Sequence, residues 1–249
     1  MKKTLENILY PLFVVLIVFL IWQIAAWIID VDLILPRPLA AIQNIGALFK
    51  NASFWTSLGW TYLRSLESFG LAFLIALLCS IFAYINRSCE KIFNPLMAIV
   101  RAIPTMSIIL ILVISLTPRI APVIVSFIVI SPTLYQSFLA GFKGIDQNLV
   151  EMVELYKVPK KKQIIKFYIP SVLPTILDNS AAGISLTIKL VIAAEALAQT
   201  RNSIGRMMQG AKVALEVEQL FALTILAVIL SLFSEWLIRF IAKKVCRHA

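Results

Sequence analysis

The chain has 249 residues, of which 60% are hydrophobic and only 14% are charged, and its mean hydropathy is +0.91. A soluble domain of this length needs many more polar residues to cover its surface, so the composition excludes one and indicates an integral membrane protein. The net charge of +10 does not indicate a nucleic-acid partner, because the basic residues flank apolar segments instead of alternating with aromatic residues.

Residue sets for catalysis or metal binding are missing from the sequence. The cysteines Cys79, Cys89 and Cys246 are not at metal-ligand spacing, and the single histidine, His248, lies next to the C-terminus. No Gly-x-x-x-x-Gly-Lys-Ser/Thr loop for ATP occurs, and no apolar segment carries paired carboxylates or a nucleophile with a base. We therefore expect no catalytic residue, no metal site and no cofactor in this chain, which disfavours a membrane-embedded enzyme.

Six apolar segments are long enough to cross a bilayer as helices, since a span needs about 20 residues. In chain order they cover residues 8–29, 66–86, 93–116, 120–142, 172–199 and 219–241. The first is too long for the core of a signal peptide and no cleavage site follows it, so we expect a retained helix. The pattern predicts an all-α polytopic membrane protein with about six transmembrane helices in one domain, residues 1–249.

The stretch 30–64, between the first two predicted spans, has mixed polarity. After Leu35-Pro36-Arg37-Pro38 come apolar residues at helical spacing, namely Leu39, Ile42, Ile45, Leu48 and Phe49. This pattern is typical of a helix lying at the membrane interface, and we expect it on the external side. Arg64 is expected to form an interfacial pair with Glu67, one helical turn further on.

The distribution of Lys and Arg predicts the orientation of the chain. Most of the 23 basic residues fall at the termini and in alternate connections between spans, above all in the one that contains Lys160, Lys161, Lys162 and Lys166. Cytoplasmic segments of membrane proteins are enriched in Lys and Arg. The pattern therefore places both termini and this connection in the cytoplasm.

The longest polar interval, residues 145–174, begins with an amphipathic helical pattern. One apolar face is formed by Ile145, Leu149, Met152, Val153 and Tyr156. Glu151 projects elsewhere, and Asp146 is placed to cap the helix at its positive dipole end. The pattern predicts a short cytoplasmic helix with one apolar side.

A second amphipathic segment follows Val158-Pro159, and Pro170 and Pro174 bound the entry to the fifth span. Two short helices that meet at a turn form a rigid projection suited to a groove on a soluble partner. The alternative is a basic loop lying on anionic lipid. Lipid adhesion needs lysines but needs neither an apolar face nor two fixed prolines, so protein docking is favoured.

These residues resemble the EAA loop of bacterial ABC importer permeases of the binding-protein-dependent class. That loop has Glu-Ala-Ala, then Gly after three residues, then Leu-Pro and a second proline four residues further on. Here the corresponding positions are held by Glu151-Met152-Val153, Lys157, Ile169-Pro170 and Leu173-Pro174. Larger apolar residues replace the two alanines, which changes the fit of the docking face, and Lys157 replaces the glycine, which changes the geometry of the turn.

Further stretches resemble the nitrate/sulfonate/taurine-type branch of that class. They are Leu35-Pro36-Arg37-Pro38, Thr61-Tyr62-Leu63-Arg64, Asn94-Pro95-Leu96, Arg101-Ala102-Ile103-Pro104, Ala193-Ala194-Glu195 and Ser203-Ile204-Gly205. Each is weak alone, but their order and spacing extend the resemblance over nearly the whole chain.

The resemblance implies a type I importer permease of the bacterial cytoplasmic (inner) membrane and the partners of such a subunit. These are a separate ABC ATPase that binds ATP and Mg²⁺, a second permease copy in a homodimer, an external solute-binding protein and the membrane lipid. The residues expected to couple to the ATPase are Asp146, Leu149, Glu151, Met152, Val153, Tyr156, Lys157, Pro170 and Pro174.

Members of this branch carry sulfonates, nitrate and vitamin or pyrimidine precursors, so the resemblance implies a small solute, with organic anions among the candidates. The alternative is a self-sufficient secondary carrier or channel. That class predicts inverted repeats with matching broken helices, which the sequence lacks, and it leaves the polar loop unexplained.

Three residues are candidates for the solute pathway. Pro104 is either a static kink in a packed bundle or part of a broken helix beside the pathway. Lys189 either meets an anionic solute or pairs with an acid, the choices being Asp178, Glu235 and the Glu195 of a second copy. Glu195 itself is expected to bond neighbouring backbone or helix ends in preference to solute.

Overall fold

The computed structural model describes the backbone of residues 2–156 and 159–246, with all side chains in these ranges except those of 2–8, 11, 12, 154, 160, 161 and 246. The described residues are mostly helical. In chain order the helices are α1 (Lys2–Ile29), α2 (Pro38–Phe49), α3 (Ala52–Ile85), α4 (Arg87–Ala102), α5 (Thr105–Ser115), α6 (Ala121–Lys143), α7 (Gln147–Leu155), α8 (Lys160–Gln163), α9 (Ile169–Ala198), α10 (Ile204–Val213) and α11 (Val217–Cys246). A π-helical turn, Ile164–Tyr168, joins α8 to α9 without a break.

Polar residues in the short connections set where several helices begin. The side chain of Asn51 accepts a hydrogen bond from the amide of Ser53 at 3.0 Å and caps α3. Asn86 caps α4 in the same way. Ser203 Oγ accepts from the amide of Arg206 at 3.1 Å and caps α10. Each cap satisfies an amide that has no partner within the helix, which stabilises the helix by about 1 kcal/mol.

The centre of the molecule is built from α3, α6, α9 and α11, with α6 and α9 packed along each other and α11 against α9. One apolar cluster surrounds the fully buried Tyr135 and Phe138 of α6. A second joins Phe54 of α3 to Ile188 of α9 and Leu223 of α11. α10 lies across α9, α11 and α3.

The described residues contain four helices that are long and apolar enough to cross a membrane, namely Ala52–Ile85, Ala121–Lys143, Ile164–Ala198 and Val217–Val245. α4 and α5 count as a fifth span only if taken together, and they are bent by 87° at their junction. The predicted segment 93–116 is therefore divided into two helices, because the helix breaks at Ile103 and Pro104. The expected total of six spans stays a prediction.

The boundaries of two other predicted segments also move. α3 begins at Ala52, well before the expected start at residue 66, so the last part of the stretch 30–64 belongs to this long helix. The amphipathic segment in the same stretch forms α2, as its spacing predicts. Residues 8–29 fall within α1, where the apolar part described with side chains is Phe13–Ile29.

The connections gather at two ends of the bundle. The Lys143 end holds residues 85–90 and 143–163, and there Lys143 Nζ contacts Glu90 Oε1 at 2.7 Å. The Arg64 end holds residues 116–120 and 199–216, next to the part of α3 that carries Arg64. The polar interval 145–174 begins at the Lys143 end and continues into α9.

Candidate functional site

The short helix α7 projects at the Lys143 end and is anchored by one side only. The carboxylate of Asp146 accepts a hydrogen bond from the amide of Asn148 at 2.9 Å, so this residue caps the helix as predicted. Ile145, just before the helix, is buried, and Val150 packs against the same apolar cluster. These two residues place one edge of α7 against that apolar cluster.

The rest of the apolar surface of α7 is uncovered. Leu149, Met152, Leu155 and Tyr156 are between 43% and 80% exposed. Val153 is half-buried and Glu151 is exposed beside the apolar residues. Exposed apolar groups this close together are typical of a protein interaction site. The predicted apolar face thus divides into an anchored edge and a free surface.

The second half of the polar interval differs from the expected pair of short helices. α8, the π-helical turn and α9 form one continuous helix from Lys160 to Ala198. Pro170 lies at the junction of the π-helical turn and α9, and Pro174 lies inside α9. The prolines therefore do not separate a docking segment from the span. Lys157 lies outside the described residues.

At the Arg64 end, Glu195 is fully buried and held by three donors. Its Oε1 lies 2.7 Å from Arg64 Nη1, and its Oε2 accepts from Thr61 Oγ1 at 2.8 Å and from the amide of Gly205 at 3.4 Å. Arg64 is only 7% exposed. The ion pair joins α3 to α9, and the amide of Gly205 ties both to the first turn of α10. Glu195 is thus engaged by an ion pair and a helix end within the chain.

The expected pair of Arg64 with Glu67 is wrong. Arg64 also donates to the backbone carbonyls of Arg201 at 3.2 Å and Asn202 at 3.3 Å, while Glu67 is exposed. Residue spacing along one helix reveals neighbours one turn away, whereas Glu195 lies 131 residues further along the chain. The sequence feature that could have indicated this pair is that Arg64 and Glu195 both lie in motifs that carry the family resemblance.

Gly205 allows the close approach of α10 to α9. A Cβ atom at this position would lie 2.3 Å from the carbonyl oxygen of Ile192 and 2.6 Å from the amide nitrogen of Ala196. Both are backbone atoms of a packed helix and cannot move aside. The glycine in Ser203-Ile204-Gly205 is therefore required for packing.

Pro104 lies at the sharp bend between α4 and α5. Ile103 is extended, with ψ of 128°, as expected for a residue before proline, and Pro104 is the residue before α5. Near the bend, Arg101 bonds to the side-chain oxygen of Gln136 on α6. Of the two interpretations of Pro104, the geometry favours the broken helix.

Lys189 lies on the exposed side of α9 and lines a cleft of about 430 Å³ between α9, α10 and α11, which it shares with Lys212. The two acids of this chain expected as its partners are used elsewhere, since Asp178 and Glu235 both contact Arg239. None of the ion pairs found in residues 2–156 and 159–246 involves Lys189. Within the same residues, no group of three or more His, Cys, Asp or Glu is arranged to hold a metal ion.

The helical bundle with its projecting α7 has the fold of the membrane-spanning subunits of type I ABC importers. An amino acid ABC transporter solved with histidines superimposes with a TM-score of 0.66 at 12% identity, over 77% of this chain and 94% of that one. The MetNI methionine ABC transporter in an inward-facing form gives 0.62 at 16% identity, over 78% and 96%.

The chain belongs to the family of binding-protein-dependent transport system inner membrane components, whose sequence profile matches residues 68–247. It is therefore an ABC transporter permease subunit, a multi-pass membrane protein, and not itself an enzyme. The resemblance found in the sequence is confirmed.

The names of three similar proteins agree with the family. A probable ABC transporter permease protein of Haemophilus influenzae is 24% identical over 94% of this chain and 98% of its own length. The formylaminopyrimidine transport permease protein ThiX of Halalkalibacterium halodurans is 23% identical, over 76% of this chain and 75% of its own. The taurine transport system permease protein TauC of Escherichia coli is 22% identical, over 76% and 71%.

Proposed function

We propose that this permease forms the solute pathway of an ATP-driven importer and receives the motion of a separate ATPase through α7. The observation that carries the proposal is the uncovered apolar surface of Leu149, Met152, Leu155 and Tyr156 on a helix that is otherwise anchored. Exposing such a surface to water is unfavourable, and burying it in a groove of a partner is favourable. ATP and Mg²⁺ are bound by that partner.

The anchored side of α7 supplies a route for the motion. Ile145 and Val150 belong to the same apolar cluster as Leu139 of α6 and Val172 of α9. Close-packed interiors transmit displacement because they have little free volume. A shift of α7 therefore moves the adjoining ends of α6 and α9, the two helices at the centre of the bundle. Glu151, exposed beside the docking surface, is proposed to fix the position of α7 in the groove of the ATPase.

The proposed assembly contains two copies of this chain, the ATPase and an external solute-binding protein in a bacterial inner membrane. The Lys143 end, which carries the lysine-rich interval 145–174, is proposed to face the cytoplasm, as are both termini. Relatives named for formylaminopyrimidine and taurine support a small organic solute, with anions among the candidates. A self-sufficient carrier is the alternative, and it predicts purification without an ATPase.

Co-purification tests the coupling. Tagged permease is extracted in detergent, and the retained ATPase is quantified for the wild type and for the double variant Leu149→Asp and Met152→Asp. We expect the wild type to retain the ATPase and the double variant to lose it, because two charges would be buried in the interface. The matched control is Gln147→Asp, on another side of α7. Equal retention by all three proteins, or no ATPase with the wild type, would contradict the proposal.

The cleft that contains Lys189 is the proposed part of the pathway on this chain. Lys189 is exposed, lines this cleft and, within the described part of the chain, is in none of the ion pairs, so it is available to an anionic solute. We expect Lys189→Met to reduce uptake of the cognate solute while the ATPase is still retained. Unchanged uptake with normal assembly would exclude this role.

A further inference from the structure

A second cavity lies at the Arg64 end and has no role in the function proposed above. Its volume is about 530 Å³, within the range of roughly 300–1,000 Å³ that is usual for small-molecule sites. Trp60 and Arg64 of α3 form one wall, the connection between α5 and α6 another, and residues 199–202 with Arg206 of α10 the rest.

The charged residues found in the lining of this cavity are all basic. Arg64, Arg119, Arg201 and Arg206 line it, and no acidic residue occurs among the described residues that do so. Arg64 is engaged by Glu195, whereas the ion pairs of the described chain do not include the other three. These three arginines are exposed and come from three different parts of the chain. A concave site lined by charges of one sign raises the local concentration of the opposite ion.

The segments that carry these arginines are fixed in place. Thr200 Oγ1 donates to the carbonyl oxygen of Pro118 at 2.7 Å, which ties the connection after α9 to the one that carries Arg119. Arg64 donates hydrogen bonds to the carbonyls of Arg201 and Asn202 and so holds the turn that follows α9. This turn contains two left-handed residues, Gln199 with φ of 51° and Asn202 with φ of 48°. The buried ion pair of Arg64 thus also shapes the cavity, and ligand binding does not have to order the backbone of these segments.

We propose that this cavity is a binding site for an oxyanion, either sulfonate, carboxylate or phosphate, at the Arg64 end of the permease. A guanidinium group matches such a group with two parallel hydrogen bonds, and three arginines without an ion-pair partner in the described chain line this cavity. Small organic anions and the phosphate of an anionic lipid headgroup share this chemistry. If the Arg64 end is external, which rests on the proposed function, the site receives solute before it reaches the cleft of Lys189.

The test uses the full-length permease in lipid nanodiscs and methanesulfonate as the probe, with binding measured by titration calorimetry at constant ionic strength. We expect saturable binding to the wild type and about tenfold weaker binding for each of Arg119→Gln, Arg201→Gln and Arg206→Gln. The triple variant is expected to lose binding. Arg206→Lys, which keeps the charge but not the paired donors, is expected to be intermediate.

Matched controls separate this cavity from other basic groups. Lys50→Gln, outside the cavity, is expected to bind as the wild type does. Nanodiscs of phosphatidylcholine are compared with nanodiscs that also contain phosphatidylglycerol. If phosphatidylglycerol competes with methanesulfonate, the cavity binds a lipid headgroup. If phosphatidylglycerol does not compete, the cavity binds a solute.

Undiminished binding by the triple variant, or no binding by the wild type in phosphatidylcholine, would overturn the inference. Retention of the ATPase is measured on the same preparations. If the wild type retains the ATPase but does not bind the anion, only the inference about the cavity fails. If the wild type binds the anion but retains no ATPase, only the proposed function fails.

Discussion

At the scale of single residues, the ion pair of Arg64 and Glu195 is the most demanding feature of the molecule. A carboxylate that is fully buried needs a compensating charge and hydrogen bonds, and Glu195 obtains them from Arg64, Thr61 and the amide of Gly205. These groups come from α3, α9 and the first turn of α10. The pair therefore specifies how three helices meet.

Removal of one member of this pair is expected to destabilise the protein by about 3–5 kcal/mol, because the other charge is left buried. Thermal unfolding of Arg64→Met, Glu195→Met and the double variant in detergent measures this. The double variant is expected to lose less than the sum of the single losses, by about 0.5–3 kcal/mol. The control is Glu67→Gln, one turn from Arg64 but exposed, with an expected change within about 0.5 kcal/mol. Strict additivity would contradict direct coupling.

The two glycines of α10 offer a matched pair. Gly205→Ala places a methyl group 2.3 Å from the carbonyl oxygen of Ile192, and we expect a loss of at least about 1–3 kcal/mol in the free energy of unfolding. A methyl group at Gly210 would meet no neighbouring heavy atom within 4 Å, and Gly210→Ala is expected to stabilise by up to about 1 kcal/mol through helix propensity. Equal effects in thermal unfolding would show that α10 is not packed closely on α9.

At the scale of elements, the prolines have opposite effects in different places. Pro104 coincides with an 87° bend between α4 and α5, whereas Pro170 and Pro174 lie in a helix that continues without interruption. Pro170 lies at the junction of the π-helical turn and α9, where the hydrogen-bond pattern along the helix changes. Packing against α6 explains why α9 stays helical through Pro174. Proline alone does not predict where a span breaks.

Pro104→Ala is expected to loosen the bend, because the proline holds Ile103 in the extended region and limits the unfolded chain. The expected loss of stability is about 0.4–1 kcal/mol. Spin labels at the exposed positions Ile99 and Ile111 are expected to show a broader distance distribution in this variant. Pro95→Ala, inside α4, serves as control and is expected to leave the distribution unchanged. An unchanged distribution in both variants would mean that tertiary contacts alone set the bend.

At the scale of the whole molecule, the chain separates two kinds of surface. The Lys143 end presents the apolar surface of α7 and carries the run Lys160-Lys161-Lys162, and the Arg64 end presents a cavity lined by arginines. The central helices α6 and α9 connect the two ends. This arrangement agrees with the proposed coupling through α7 at one end and the proposed anion binding at the other.

The orientation of these ends is testable by labelling. Single cysteines at Asn148 and Gln199, introduced after replacement of the native cysteines, are exposed to a membrane-impermeant maleimide in intact cells. We expect labelling at Gln199 alone, because the lysine-rich end is retained in the cytoplasm. Asn148 is expected to react once the cells are permeabilised. Labelling of Asn148 in intact cells would reverse the orientation and remove the proposed coupling role of α7.

The sequence by itself determined the class of fold, since long apolar segments can satisfy their backbone in lipid only as helices. It also determined the family and the position of α7, because these depend on local patterns such as the Asp146 cap and the spacing of Leu149 and Met152. Only the tertiary structure decided the partner of Arg64, the bend at Pro104 and the grouping of Arg119 with Arg201 and Arg206. These features bring together residues distant in sequence, and periodicity along one helix carries no information about which other helix packs against it.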